Sequence, residues 1–509
     1  MAIELVWFKR DLRTRDHLPL TSAALSGKAV LCLFVVEPER FEQPDVDPIH
    51  IEWELDCAID LSRNLEKNGG SLHIKFGSII EILEKINEKY GIERLLSHEE
   101  TGNSWSFQRD KDVLKWCKTN DITWTEFPNN GVIRNLKNRD GWTKERNLRM
   151  LTPLSEAPII TNSITNDDKI PKISDMGIKP RQLENRPIPG EEAAMTKLQN
   201  FLNMSGERYS VSISSPILSI KHGSGLSPYF TAGTISMRRV VNNTTSRIRH
   251  IKKNKSHIKN HSVWLKSLNS FNRRLAWRCH FIQKLETQPN LDLVAQNPMI
   301  EKNMNRVLDK AYFNRWKKGI TGWPFLDACM RQLNATGWIN FRMRAMIMSA
   351  ASYNLWLPWK ETGNYLARKF LDYEPGIHWP QVGMQSGTTG INTIRAYSMT
   401  KQGKDHDKNG DYIRRWIPEL SMVPTDYIHE PWLMPEKLQN SIMCRLGVEY
   451  PLPIVDEKES RKNGIKRSYS ARSGEEVRKI SKRVLKVHGS RRKPLKTNKK
   501  TTTIQKKLF

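Results

Sequence analysis

Cysteine is scarce in this chain, and no two cysteines stand close together. Six occur in 509 residues, at Cys32, Cys57, Cys117, Cys279, Cys329 and Cys444, with no CxxC among them. That spacing argues against a zinc knuckle or a ferredoxin-like cluster loop, so no metal site is expected; buried thiols in a reducing compartment are. Long apolar runs are also missing: the strongest, residues 29–36, is far too short to cross a bilayer. The opening MAIELVWFKRDLR puts charge where a signal peptide needs an apolar stretch, so secretion is not expected. No GxGxxG follows the first strand pattern, which removes the usual dinucleotide fingerprint. The most informative absence is of acid. The 78 residues between Glu207 and Glu286 hold no Asp or Glu, against 15 Lys and Arg. Surface helices normally mix signs, so an anion lying along this span explains it better than solvent does.

What is present fits that reading. A formal net charge of +28 makes the chain repel itself and implies a polyanionic partner, nucleic acid ahead of an anionic membrane surface. Hydrophobic content of 38% with 16 Trp can fill cores, and the length calls for at least two domains. Apolar runs at 4–8, 29–36, 72–76, 94–97 and 122–127 read as strands, with helical patterns between them. They predict an α/β N-terminal domain over 1–131, a doubly wound parallel sheet of about five strands. A Pro-punctuated connector follows over 132–192, then an all-α domain over 193–455, with a long helix-forming stretch at 321–356 interrupted by Gly337. Residues 456–509 carry 19 Lys and Arg against 5 Asp and Glu, half the net charge in a tenth of the length. A helix at 474–488 and a disordered tail are expected there, acting as an arm with salt-sensitive affinity for phosphates.

Within the acid-free span, Gly223-Ser224-Gly225-Leu226-Ser227-Pro228-Tyr229 presents glycines and hydroxyls before a helix start, as a phosphate cradle does. A plain Ser N-cap with Pro at the first helical position explains the same residues. Interleaved aromatics, Tyr209, Phe271, Trp277 and Phe281 among them, could stack on bases or on a flavin-like ring.

These residues carry a resemblance. Val6-Trp7-Phe8-Lys9-Arg10-Asp11-Leu12-Arg13 resembles the opening motif of the cryptochrome/photolyase family. GSGLSPYFTAG at 223–233 is similar to that family's phosphate-binding TSxLSPYLxxG segment, and Leu275-Ala276-Trp277-Arg278 matches its LxWR. Residues 322–344 resemble its GxPxxDAxMRxLxxTGxxxxRxR helix pair, and GDYIRRWIPEL with His429-Glu430-Pro431-Trp432 matches its closing motifs, all in the family's order. The resemblance implies an antenna domain followed by a helical domain holding U-shaped FAD. It places Tyr209, Ser224, Leu226 and Ser227 at the FAD phosphates. Arg278, Arg344 and Asp372 complete the cradle, and Gly225, Phe271 and Glu374 join the cofactor-binding set. Arg274, Trp277, Phe341, Arg342 and Gln402 face DNA, with Trp277 as an apolar wall beside the damaged pair; Trp277 as core and Arg344–Asp372 as a simple ion pair stay open. His378 and Trp359 stand with Trp277 as the catalytic set.

Departures from the family's pattern sharpen the question of activity. Its phosphate-loop Thr is Gly223, its dimer-binding carboxylate is Arg274, its Asn before RxR is Phe341, and the Asn facing flavin N5 is His378. A histidine there, titrating near neutral pH, is expected to tune or protonate the flavin, or else only to pack. Of the family's electron-relay tryptophans only Trp359 remains; Val382 and Arg306 hold the other two places, and Trp356, Trp379 and Trp338 are candidates for a rerouted chain.

The implied activity is light-driven electron transfer from reduced FAD to a flipped pyrimidine lesion, as in a DNA photolyase. The alternatives are a cryptochrome-type photoreceptor that binds FAD and DNA without repair, and a flavin-free nucleic-acid binder. A second antenna chromophore of folate, deazaflavin or lumazine type is implied as an option. UV-damaged DNA is the expected partner of a monomer, in the cytoplasm at the nucleoid or, in a eukaryote, in the nucleus or an organelle. QKKLF at 505–509, through Gln505, Leu508 and Phe509, resembles a sliding-clamp docking peptide, though chance explains so short a match.

Overall fold

The computed structural model describes residues 2–489 other than 167–170 and 172. Five strands, β1 (Ile3–Phe8), β2 (Ala29–Val36), β3 (Leu72–Phe76), β4 (Ile92–His98) and β5 (Thr123–Phe127), form one parallel sheet in the order β3-β2-β1-β4-β5. All eight side chains of β2 are buried. Alternate residues go to different cores: Val30, Cys32, Phe34 and Val36 to one, Ala29, Leu31, Leu33 and Val35 to the other. A run without polar alternation is what a sheet covered on both faces requires. All six cysteines are buried and free.

The second face of the sheet shares its core with the first helices of the remainder. Leu198, Phe201, Leu226, Tyr229, Phe271 and Leu275 pack into the same cluster as Val6 and Phe34. The change of pattern near residue 192 therefore divides two periodicities, while one core runs across it. A separate core, from Leu285 to Tyr450, lies within the helical part. The stretch 321–356 forms helices Pro324–Thr336 and Phe341–Ser349 and a π-turn at Ala350–Asn354; Gly337, at φ 70°, ends the first.

The C-terminal region differs from the expected free arm. Two helices, Glu457–Ser470 and Glu475–His488, pack on the helical part. Gly464 lies so close that a Cβ there would stand 2.0 Å from the Tyr353 carbonyl oxygen, and Asn297 Nδ2 donates to the Val477 carbonyl at 3.1 Å. The tail beyond 489, with the clamp-like QKKLF, lies outside the described residues. Among the described residues no helix is long and apolar enough to cross a membrane.

Candidate functional site

The turn after β1 braces the glycine-serine segment from the other domain. The Leu12 amide donates to the Ala232 carbonyl at 3.0 Å, Arg13 Nη1 to the Gly233 carbonyl at 2.9 Å and Arg10 Nε to the Thr231 carbonyl at 3.1 Å. Gly233, at φ 71°, admits this approach, since a Cβ would stand 2.1 Å from the Arg10 carbonyl oxygen. In the segment itself Ser224 Oγ accepts from the Leu226 amide at 3.4 Å, Gly225 is exposed at φ 63°, and Leu226 is buried. Ser227 is the first residue of helix Ser227–Ala232, whose start has no side-chain cap, so the plain Ser N-cap is not what forms. Gly223 also finds its reason here: any Cβ would meet the Ser219 carbonyl oxygen at 2.4 Å, where helix Leu218–His222 ends.

Charged groups line the neighbouring wall. Arg278 Nη2 donates to Glu374 Oε2 at 2.6 Å and reaches the Phe230 carbonyl at 3.4 Å, while Arg10 meets both oxygens of Glu374 at 3.2 Å. Through Arg10, Glu374 thereby ties the turn after β1 to the helical part. Arg344 donates Nη2 to Asp372 Oδ2 at 2.8 Å and Nε to the Ile339 carbonyl at 2.8 Å, and its guanidinium lies 4.0 Å from the Phe370 ring centroid. Asp372 is 6% exposed, and its Oδ1 is buried with no partner, as is Asn272 Oδ1. Buried acceptors left over are uncommon. Here the free Asp372 oxygen suits a ring N–H, and the hydroxyls and amides of 224–227 suit a pyrophosphate, so the residues present fit FAD. Tyr209 lies edge-on to Phe201 and Phe271 at 5.5 and 5.6 Å, and burial pushes its phenol up to about 12.

The expectation that His378 titrates near neutral pH is overturned. Burial pushes its imidazole down to about 4, and Nε2 donates to the Gly363 carbonyl at 2.9 Å, so the ring is neutral with that proton engaged. It touches Tyr373 and Trp379 edge-on at 5.3 and 5.0 Å. Trp379 in turn meets Trp359 edge-on at 5.8 Å. Both indoles are buried and tethered: Trp379 Nε1 donates to Tyr373 Oη at 3.0 Å, and Trp359 Nε1 to Glu301 Oε1 at 2.6 Å. Tyr373 Oη also bonds the Asp45 carboxylate. Val382 packs near Gly363, where a Cβ would strike Trp379 at 2.7 Å. Trp356 instead lies between the guanidiniums of Arg306 and Arg467.

The mouth is different in kind. Trp277 is 51% exposed and so is not core; it stands on the 27-residue helix His261–Thr287, edge-on to His280 and tilted against Phe281. Arg274, one turn earlier and exposed, has its guanidinium 5.6 Å from the ring of Phe341, itself 47% exposed. Burial first, and then half-buried Arg342, lower the proton affinity of His406, on the helix Met399–His406 that also carries Gln402. Gln402 Oε1 is buried without a partner.

Sequence reasoning missed the ionic seam of the α/β domain. Arg109 pairs with Glu37, Glu100 and Asp110 at 2.9, 2.7 and 2.8 Å, and Arg40 Nη2 donates to Glu54 at 2.7 Å. They enclose a cavity of about 60 Å³ at the carboxyl ends of the strands, beside Trp7 and His50. That holds a few waters and falls well short of the roughly 300 Å³ or more that a ligand pocket offers. Behind it, Asp11 Oδ2 accepts from His17 Nε2 at 2.9 Å and His98 Nδ1 at 2.6 Å. Burial works to raise the Asp11 carboxyl, but both imidazoles hold it well below the usual range. His17 Nδ1 accepts from the Leu20 amide at 3.1 Å, which commits Nε2 to carrying hydrogen, so this trio is a proton-bonded brace and not a metal cage.

Comparison with known proteins agrees with this geometry. Residues 4–143 match the family model described as DNA photolyase, and residues 271–470 the one described as FAD binding domain of DNA photolyase. The deoxyribodipyrimidine photo-lyase of Alkalihalophilus pseudofirmus is 28% identical over 492 residues, covering 91% of this chain and 97% of that one. Cryptochrome-1 of Erithacus rubecula is 25% identical over 498 residues, covering 91% and 77%. The solved bacterial class III photolyase of Agrobacterium tumefaciens superposes with a TM-score of 0.80 at 24% identity, covering 93% of this chain and 98% of that one. Repair enzymes and receptors thus stand at nearly equal distance.

Proposed function

The chain belongs to the cryptochrome/photolyase family and carries its FAD-binding domain, and on that premise we propose that it is a DNA photolyase acting on UV-induced pyrimidine lesions. One observation carries the reading: the helix His261–Thr287 points Arg278 inward to the carbonyl of Phe230 and Trp277 outward to solvent, so one rigid element serves both cofactor and DNA.

The pyrophosphate would lie on Ser224, Gly225, Leu226 and Ser227, with Arg278 behind them and Tyr209 and Phe271 closing the side. Arg344 and Asp372 would hold the ring edge, Asp372 Oδ1 accepting from a ring N–H. When bound, FAD supplies light absorption and one-electron transfer; the protein supplies position and dryness. His378, neutral and fixed to the Gly363 carbonyl, sets an uncharged wall there and holds its Nε2 proton. Trp379 and Trp359 form a contiguous aromatic path from that wall to Glu301. At the mouth, Trp277 and Phe341 would flank a flipped base and Arg274, Arg342 and Gln402 its backbone. Flipping costs a few kcal/mol and least at a damaged pair, which supplies part of the selectivity. UV-damaged DNA is the partner this mouth suits.

A second reading, a blue-light photoreceptor, is favoured by Arg274 and Phe341 standing at the mouth where the family's dimer-binding carboxylate and Asn are found. Blue light on FAD-loaded, reduced protein with oligonucleotides bearing either a cyclobutane dimer or a (6-4) product separates them. Repair is expected in light and not in darkness; intact lesions of both kinds after illumination would leave the receptor reading.

A further inference from the structure

Interior polar groups find partners, so a buried cluster with more donors than acceptors, two guanidiniums beside one phenol, calls for a further acceptor. One lies where the C-terminal helix pair meets the helical part. Arg306 donates Nη2 to the Ser386 carbonyl at 3.0 Å. Arg472, in the turn between helices Glu457–Ser470 and Glu475–His488, donates Nη2 to the next carbonyl, Gly387, at 3.1 Å and Nη1 to Asn392 at 2.7 Å. Two guanidiniums are thus anchored on consecutive carbonyls. Their other donors, Arg306 Nε and Nη1 and Arg472 Nε, are buried without an acceptor. So is Oη of Tyr353, a side chain 1% exposed. It belongs to the same spot, because a Cβ at Gly387 would stand 2.8 Å from Tyr353 Oη and 3.7 Å from Arg472 Nη2.

Charge tightens the case. Arg306 also lies 4.6 Å from the ring of Trp356, which the Arg467 guanidinium approaches at 3.8 Å. Burial, with Arg467 adding to it, pushes the Arg306 guanidinium down to about 10. Among the described residues the carboxylate acting on Arg306 is Glu301, which already accepts from Trp359. Water could accept two of these hydrogen bonds but would leave the cations uncompensated, and buried charge without a counter-charge is costly. Guanidinium forks match tetrahedral oxyanions in shape and charge.

We propose that Arg306, Arg472 and Tyr353 form a binding site for one phosphate-type oxyanion, which fastens the C-terminal helix pair to the helical part. The chemistry is shared by inorganic phosphate and by a phosphate group of nucleic acid. The site stands apart from the flavin cradle and needs neither flavin nor repair to be tested.

Thermal unfolding of the full-length protein, in phosphate against chloride at matched ionic strength, reads it directly, since a ligand that binds only the folded state raises the midpoint saturably. Phosphate is expected to stabilise in this way. Tyr353→Phe, which keeps the ring, is expected to weaken phosphate affinity by about tenfold, the worth of one hydrogen bond to a charged group. Arg472→Gln is expected to abolish the response, and Lys462→Gln, exposed on the same helix pair, to keep it. Short single strands with and without a 5′ phosphate then tell the sources apart: preference for the phosphorylated strand assigns the site to nucleic acid, equal behaviour to free phosphate. Stabilisation by phosphate no greater than by chloride, or unchanged in Tyr353→Phe, overturns the assignment; if Arg472→Gln does not fold, Tyr353→Phe alone decides.

Discussion

The mouth and the inner wall of the site use the same residue types in opposite ways. At the mouth, Arg274, Trp277 and Phe341 leave their charge and rings in solvent. At the inner wall Arg344 and His378 are half-buried and Trp359 and Trp379 buried, and each has a polar atom tied to a carboxylate, a carbonyl or a phenol. The exposed set can change without disturbing the fold and so can be spent on a partner. The enclosed set is held by its surroundings, and removing one member strands another.

Acid should break that contrast most strongly. Burial pushes His378 down to about 4 and His98, His280 and His488 to about 3, from an ordinary 6.5. All four are neutral when folded and free to take a proton when unfolded, so stability is full above about pH 6.5 and falls as the pH drops toward 4. By pH 5 each costs roughly 2 kcal/mol; urea midpoints at pH 7.5 and 5 measure the sum, and equal midpoints would show these rings to be solvated. Next in size is Asp372→Ala, which strands the Arg344 guanidinium at a cost of about 3–5 kcal/mol. Protein purified with this change is expected to be pale, and an undiminished flavin-to-protein absorbance ratio would place the cofactor elsewhere. Trp359→Phe and Trp379→Phe should slow photoreduction several-fold while Trp356→Phe does not, as flash spectroscopy can report. At the mouth the effects shrink. Trp277→Ala should weaken lesion binding by about 1–3 kcal/mol, the worth of one stacked base, with an unchanged melting temperature. Arg274→Gln should do least, lowering the slope of log affinity against log salt by about 1.

The α/β half was legible because its signals are local. β2 is an unbroken apolar run buried at every position, and Gly337 ends its helix with the positive φ that glycine allows. The pair Arg344–Asp372 was legible through motif spacing. The bridge from Arg10 to Glu374 was not, since it spans 364 residues and nothing in the opening motif or the cofactor set pairs the two. His378 was read by its ordinary acidity, which burial and the Gly363 carbonyl override. Gly223 looked like a lost hydroxyl until the Ser219 carbonyl showed that no side chain fits. The helix Glu457–Ser470 escaped because its polar composition hides the one glycine that lets it press against Tyr353.

The account depends on a flavin seated close enough to the mouth to sense what binds there. Titrating a single-lesion oligonucleotide into FAD-loaded protein while recording the flavin absorption spectrum tests this. The arrangement predicts a shift that saturates with binding and is weakened in Trp277→Ala; a spectrum that stays unchanged while the oligonucleotide binds would contradict it.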